Sequence, residues 1–271
     1  MTDSLVISEP SRSRVVAGLW NGLCYVYPIA VVLLVWELIA HSGMISRLLW
    51  PPVEQVAYEL WRFAISGDMA FHGAITLQRA LMGFVCAIVA GIVIGTALAR
   101  VRLIDRMVEP IFAFGYPIPK ISLYPMFVFI FGFGDLSKIV LVFLECLYPI
   151  TLQTMAGMRS AERVLVWTAR NAGASPRQMF WRVLVPSAAP AIFAGIRIAL
   201  PIALIVTIIT EIIGESRGLG YVVAFASASF EPARAMAAFA VIAAIGFTFD
   251  RTLTFLRHRL IYWQKESAGF R

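Results

Sequence analysis

Residues 159–190 read RSAERVLVWTARNAGASPRQMFWRVLVPSAAP, a long basic stretch held between strongly apolar ones. Its five arginines keep it out of a hydrocarbon core, so it reads as machinery on the cytoplasmic side of a membrane. Residues 161–172 suit a helix, Gly173 can supply the positive φ that ends one, and Ser175 followed by Pro176 is a good N-cap and N1 pair. A second helix then runs to about Val185. Within it Met179, Phe180, Val183 and Leu184 recur at helical spacing on one side, while Arg177, Gln178 and Arg182 occupy the other. The apolar side predicts an apolar partner.

The rest of the chain says what the stretch is attached to. Of its 271 residues 60% are hydrophobic and 14% charged, against roughly 25% charged in an average soluble domain. That much apolar surface needs lipid as its solvent. The net charge of +7 concerns orientation in the membrane rather than nucleic acid, because the arginines sit in short loops beside apolar spans. Cys24, Cys86 and Cys146 all fall inside apolar runs, which argues against a disulfide framework or a zinc site and for small core residues. No cleavable signal peptide is visible, since the first apolar run begins near Leu19 and further spans follow.

Residues 1–20 read as a cytoplasmic tail and residues 21–40 as the first span. Val53, Val56, Ala57, Leu60 and Ala64 then mark an amphipathic helix on the outer membrane surface, interrupted by Glu54, Glu59 and Arg62. Residues 76–99 form the second span, where Gly91 and Gly95 make a GxxxG that suits close packing within one subunit better than a dimer seam. The third span, residues 108–131, contains Pro110, Pro117, Pro119 and Pro125, so its hydrogen-bond ladder should break repeatedly. Broken backbone at membrane depth is tolerated only against protein or water, which makes this segment, with Tyr116, the first candidate for a pathway wall.

The fourth span, residues 139–157, carries Glu145 near its middle with Tyr148 on the same face. A carboxylate there must face water or a partner, as pathway group or as structural pair. The fifth span, residues 192–213, carries Glu211 near its outer end, and residues 215–232 form an outer loop with a short helix in it. The sixth, residues 233–249, leads into a basic cytoplasmic tail, 260–271. Six spans place both termini and residues 159–190 on one side, with fifteen of the 23 Lys and Arg on that side and five opposite. The positive-inside rule requires that bias.

The spacing inside residues 159–190 resembles the EAA loop of bacterial ABC importer permeases, a Glu-Ala-Ala, Gly, Ile-x-Leu-Pro pattern with fixed gaps. Gly173 takes the glycine position, Val183 and Val185 the two apolar ones, and Pro186 the proline. Trp167, Thr168 and Ala169 occupy the opening triplet, so a role that depends on the family's glutamate does not pass to Trp167. TARNAGAS and FWRVLVPSAAPAIFAGIRIAL look most like the nitrate, sulfonate and taurine branch, and the likeness covers roughly residues 75–259.

The resemblance implies an all-α type I importer permease of the bacterial inner membrane, with a permease domain over residues 21–259. It implies a second permease copy, a homodimer, with a cytoplasmic ATPase dimer holding ATP and magnesium and an extracytoplasmic binding protein delivering a small solute. It also implies that Ala174, Ser175, Pro176, Met179, Phe180 and the motif positions couple to the ATPase. No GxxxxGK[ST] loop occurs and His41, His72 and His258 are scattered, so neither a catalytic centre nor a metal site is read in this chain. The rival class is a secondary transporter with Glu145 and Glu211 as coupling-ion groups. Within the importer class, permeases of neutral or cationic vitamin precursors such as pyrimidines are the alternative substrate reading.

Overall fold

The computed structural model describes residues 12–46, 48–115, 118–161, 163–214 and 216–263, with side chains from Tyr27 onward except Glu109, Ala113 and Arg163. All regular structure among them is helical. Four helical stretches are long and apolar enough to cross a membrane: Asp68–Arg100, Asp135–Arg159, Pro176–Ile212 and Pro232–Leu260. The first of these is α3, preceded by α1 (Arg12–His41) and α2 (Val53–Ile65). α4 (Arg102–Gly115), a 3₁₀ turn (Lys120–Leu123) and α5 (Tyr124–Phe131) lead to α6 (Asp135–Arg159). α7 (Arg163–Asn171) and α8 (Pro176–Met179) form the polar loop, and α9 (Val185–Ile212), α10 (Leu219–Ala228) and α11 (Pro232–Leu260) complete the chain.

α6 sits between α3 and α9, and these three helices form the centre. Phe84 and Ala87 of α3, Leu141, Val142, Cys146 and Ile150 of α6, and Ile196, Ala199 and Leu200 of α9 are buried together. Lipid offers helices no hydrophobic reward for associating, so packing has to come from close backbone approach at small residues. At Gly95 a Cβ would lie 2.6 Å from the Thr151 carbonyl oxygen and 2.7 Å from the Thr154 Cβ; at Gly91 it would lie 2.7 Å from the Ile150 side chain. The GxxxG thus packs inside one subunit. On the opposite face of α3 Val85, Val89 and Val93 stay exposed, as a lipid-facing stripe requires.

Several boundaries differ from those read in the sequence. α1 starts at Arg12 rather than near residue 21, because polarity marks the edge of an apolar zone, not the end of a helix. The third span is not broken at every proline. Pro110 lies inside α4 and Pro125 in the first turn of α5, where its missing N–H is no loss, so neither interrupts its helix; among the described residues the interruption shows at Ile118 and Pro119, ahead of the 3₁₀ turn. Tyr116 and Pro117 lie outside the described residues.

The fifth span does not begin at residue 192 either. From Pro176 to Ile212 the chain is helical throughout, through a π-helical segment, Phe180–Leu184, in which the Val185 N–H bonds the Phe180 carbonyl five residues back. That wider turn lets Pro186 follow without ending the helix. α11 likewise continues eleven residues past the expected end of the sixth span at 249, since residues 250–260 contain no Pro or Gly to stop it. Cys146 is a core residue as expected, whereas Cys86 is exposed.

Substituting Gly95 with leucine should lower stability in detergent by about 1–3 kcal/mol through overpacking against Thr151 and Thr154. Gly73→Ala, where a Cβ meets nothing within 4 Å, should leave the thermal midpoint unchanged or raised. Equal midpoints for the two variants would contradict the packing account.

Candidate functional site

α7 and α8 fold back on each other as a helix pair. Gly173 turns the chain at φ 76, its N–H bonding the Arg170 carbonyl. The Ser175 hydroxyl accepts from the Gln178 N–H at 3.3 Å while the Gln178 side chain accepts from the Ser175 N–H at 2.9 Å, a reciprocal capping box. The Ser-x-x-Gln spacing could have disclosed it. Arg159 anchors the base of the pair, meeting Asp105 at 2.6 Å and the Leu98 carbonyl at 3.2 Å.

The apolar side of the second helix already has its partner within the chain. Met179 and Leu184 are buried in the central cluster, with Phe180, Val183 and Val185 packed against it. That corrects the expectation of an uncovered stripe there. The outward surface consists instead of Trp167, 65% exposed, Trp181, 61% exposed, and Val164, with Gly173, Ser175 and Pro176 also exposed. Beside this ridge runs a groove of about 590 Å³ with Thr168 and Ala169 on one wall, Val183 and Pro186 on the other, and Trp263 at its edge. The two ends of the spaced motif therefore face each other across one groove, although more than a dozen residues separate them in sequence. Ala174 is half-buried at the turn.

At the opposite end of the bundle is a buried ionic clamp. Arg79 of α3, 4% exposed, reaches Glu211 of α9 at 2.9 Å and Asp135 of α6 at 2.6 Å, and its Nη1 also donates to the Arg217 carbonyl. Glu211, 0% exposed, further accepts from the Thr76 hydroxyl at 2.8 Å and from the Gly220 N–H at 3.0 Å. Gly218, at φ 107, has no room for a Cβ against the Glu211 carboxylate, and its N–H bonds His72 Nδ1. Glu211 is thus no pathway-facing group: its oxygens are spent holding the loop after α9 to α3. Sequence reading missed Arg79, Asp135 and Thr76 because nothing local links residues 56 and 135 positions apart.

The interrupted segment is held by Glu145. Its Oε1 accepts from the Ile121 N–H at 3.2 Å and its Oε2 lies 4.0 Å from Lys120 Nζ, which sits 4.1 Å from the centre of the Tyr148 ring. Tyr148 packs against Phe112 and reaches the Ile111 carbonyl at 3.4 Å, so the two sides of the break are tied to one face of α6. Pro119 leads into the 3₁₀ turn and Pro125 opens α5, both exposed. Among the described residues no three His, Cys, Asp or Glu side chains gather as a metal set.

A helical membrane bundle with an interrupted third segment, and with a capped helix pair continuing directly into a span, is the architecture of an ABC importer permease subunit. The chain belongs to the family described as binding-protein-dependent transport system inner membrane component, which matches residues 87–262. It is a multi-pass inner-membrane permease subunit, and ATP hydrolysis belongs to a separate subunit. It is 32% identical over 274 residues to the taurine transport system permease protein TauC of Escherichia coli (strain K12), covering 97% of this chain and 99% of that one. It is 27% identical over 264 residues to the putative aliphatic sulfonates transport permease protein SsuC of Bacillus subtilis (strain 168), covering 97% and 94%. A crystal structure of an amino acid ABC transporter shares the fold, with a TM-score of 0.59 at 15% identity over 76% of this chain and 98% of that one.

Replacing Arg79 with leucine leaves Glu211 buried and unpaired, which should cost about 3–5 kcal/mol of stability. The Arg79→Leu/Glu211→Leu double variant should recover a large part of that loss in a thermal unfolding series. Additive losses would mean that the two groups do not act as a pair.

Proposed function

We propose that this chain is the permease of an importer for taurine or another small alkanesulfonate, delivered by an extracytoplasmic binding protein. The observation that carries this is the full-length similarity to the taurine permease, joined to the motif groove at one end of the bundle. Two copies work together, because the interrupted segment supplies only part of a pathway wall. Each copy crosses the membrane six times with both termini in the cytoplasm. The four long helices, α1 and the α4–α5 segment supply the spans.

Two cytoplasmic ATPases, holding ATP and magnesium, dock on the helix pair. Trp167 and Trp181 supply the exposed apolar contacts, with Thr168, Ala169, Val183 and Pro186 forming the adjoining groove. The turn at Gly173, Ala174, Ser175 and Pro176 sets the angle of the pair; Met179, Phe180 and Val185 transmit its movement because they are packed into the bundle. As Pro176–Ile212 is one helical stretch, displacement of the pair moves the span itself. Tyr116, Pro117, Pro119, Pro125, Glu145 and Tyr148 belong to the pathway wall in this reading.

In proteoliposomes holding this chain, its ATPase and its binding protein, taurine uptake should depend on ATP and on the binding protein. Uptake that needs neither and follows an imposed ion gradient would overturn the importer reading. Trp181→Asp should leave insertion intact while reducing binding-protein-stimulated ATP hydrolysis at least tenfold; unchanged hydrolysis would remove Trp181 from the docking surface. Glu145→Gln keeps an acceptor for the Ile121 N–H and should preserve folding while slowing uptake several-fold. Glu145→Leu should slow it further, and normal uptake by that variant would remove Glu145 from the wall.

A further inference from the structure

α2 is an interfacial helix with three distinct faces. Phe63 is buried inward against α10 and α11. Tyr58, Trp61 and Ile65, each more than 60% exposed, form an outward stripe one and two turns apart. An aromatic and aliphatic stripe of this kind sits at headgroup level, where an indole or phenol finds both an apolar body and a wet edge. The third face, Gln55, Glu59 and Arg62, lines a groove of about 280 Å³ whose other wall is the start of α11, with Glu231 and Arg234.

The ion pairs of that groove's four charges run only between near neighbours on the chain, and Arg234 also lies over the Phe225 ring. Arg62 meets Glu59 at 3.1 Å and Arg234 meets Glu231 at 3.4 Å, both three residues apart, with Arg62 and Glu231 exposed and Glu59 and Arg234 half-buried. Such pairs are weak and exchange partners readily. A second groove of about 350 Å³ adjoins the first, sharing Leu48 and Pro232 with it. It is lined by Leu49, Phe230, Met236 and Phe239, with Ser227 among them, and is mainly apolar. A charged groove alone would suit an ion, and an apolar groove alone a side chain. The two joined end to end at headgroup depth suit an amphiphile.

We infer that this surface, at the end of the bundle opposite the α7–α8 pair, is a binding site for a zwitterionic phospholipid with a primary ammonium, phosphatidylethanolamine. The phosphate lies against Arg62 and Arg234, whose planar guanidinium groups present several N–H donors to its oxygens. The ammonium lies against Glu59 and Glu231. An acyl chain follows the apolar groove past Met236 and Phe239. Two positive and two negative groups favour a headgroup without net charge over an anionic one. A primary ammonium donates hydrogen bonds to both carboxylates, which a quaternary choline cannot do. The lipid joins α2 to α11 where few direct polar contacts do so. The site is independent of the transported solute.

The test is native mass spectrometry of the purified permease–ATPase complex, exchanged through detergent and then titrated with phosphatidylethanolamine, phosphatidylcholine or phosphatidylglycerol. Phosphatidylethanolamine should be retained at least fivefold over the other two. Arg62→Gln/Arg234→Gln should abolish retention of all three. Glu59→Gln/Glu231→Gln should keep a phospholipid but shift the preference toward phosphatidylglycerol. A circular-dichroism melt of each variant checks that the bundle is intact, and Phe239→Ala, which leaves every charge in place, should weaken retention on its own. Equal retention of the three lipids by the wild-type complex, or no change in any variant, would overturn the assignment. So would a wild-type complex that retains no lipid while the charge variants lose binding-protein docking, because the groove would then be a protein contact.

Discussion

Close backbone contact between α3 and α6 is the constraint on which the other features depend. In lipid the apolar surfaces of two helices gain nothing by leaving solvent, so their association rests on dispersion and on how near the helix axes can come. Gly91 and Gly95 let α6 approach until Ile150, Thr151 and Thr154 fill the space where side chains would be. α9 closes on the other side of α6, where Gly195 meets the Pro149 carbonyl and the Gln153 side chain. The result is a centre stiff enough to carry two polar ends.

The ends are built on different physics. At one, a buried guanidinium holds carboxylates from α6 and α9 and a loop carbonyl, so three helices are bound together at that end of the bundle through Arg79. Desolvating these charges is costly, and the arrangement is favourable only because Thr76 and Gly220 satisfy the rest of Glu211. At the other end the helix pair is held by packing, by a capping box and by the partly exposed Arg159–Asp105 contact. One end is a clamp and the other a lever. Between them Pro176–Ile212 runs for roughly 55 Å at the rise of an α-helix. On the proposed reading this stretch delivers ATPase motion to the far side, through the π-helical segment, Phe180–Leu184, and past Pro190 and Pro201 inside the helix.

The local signals were legible in sequence. Gly173 turns as its position required, Ser175 and Pro176 open a helix, and the GxxxG of α3 packs within the subunit. The amphipathic α2 and the short helix between α9 and α11 also occupy the residues where pattern placed helices. What failed involved competition between local and distant forces. Pro110 and Pro125 looked like breaks, but Pro110 sits inside α4 and Pro125 in the first turn of α5, while the helix expected to end near Val185 runs on through a π turn. The stripe at Met179 and Leu184 looked uncovered because the covering residues come from elsewhere in the chain. Glu211 looked like a pathway group because its partner Arg79 lies 132 positions away and no periodicity connects them.

The central claim is that the helix pair and the span beyond it move as one piece. Double electron–electron resonance between spin labels at Arg177→Cys and Ile213→Cys tests it most directly. The labels are placed in one copy of the assembled transporter, with the native cysteines replaced. The account predicts the same distance, within about 2 Å, in the nucleotide-free and ATP-trapped states, while the distance between position 177 of the two copies changes. A change of several ångströms between 177 and 213 within one copy would contradict it, since the π-helical segment would then be a hinge and not a link.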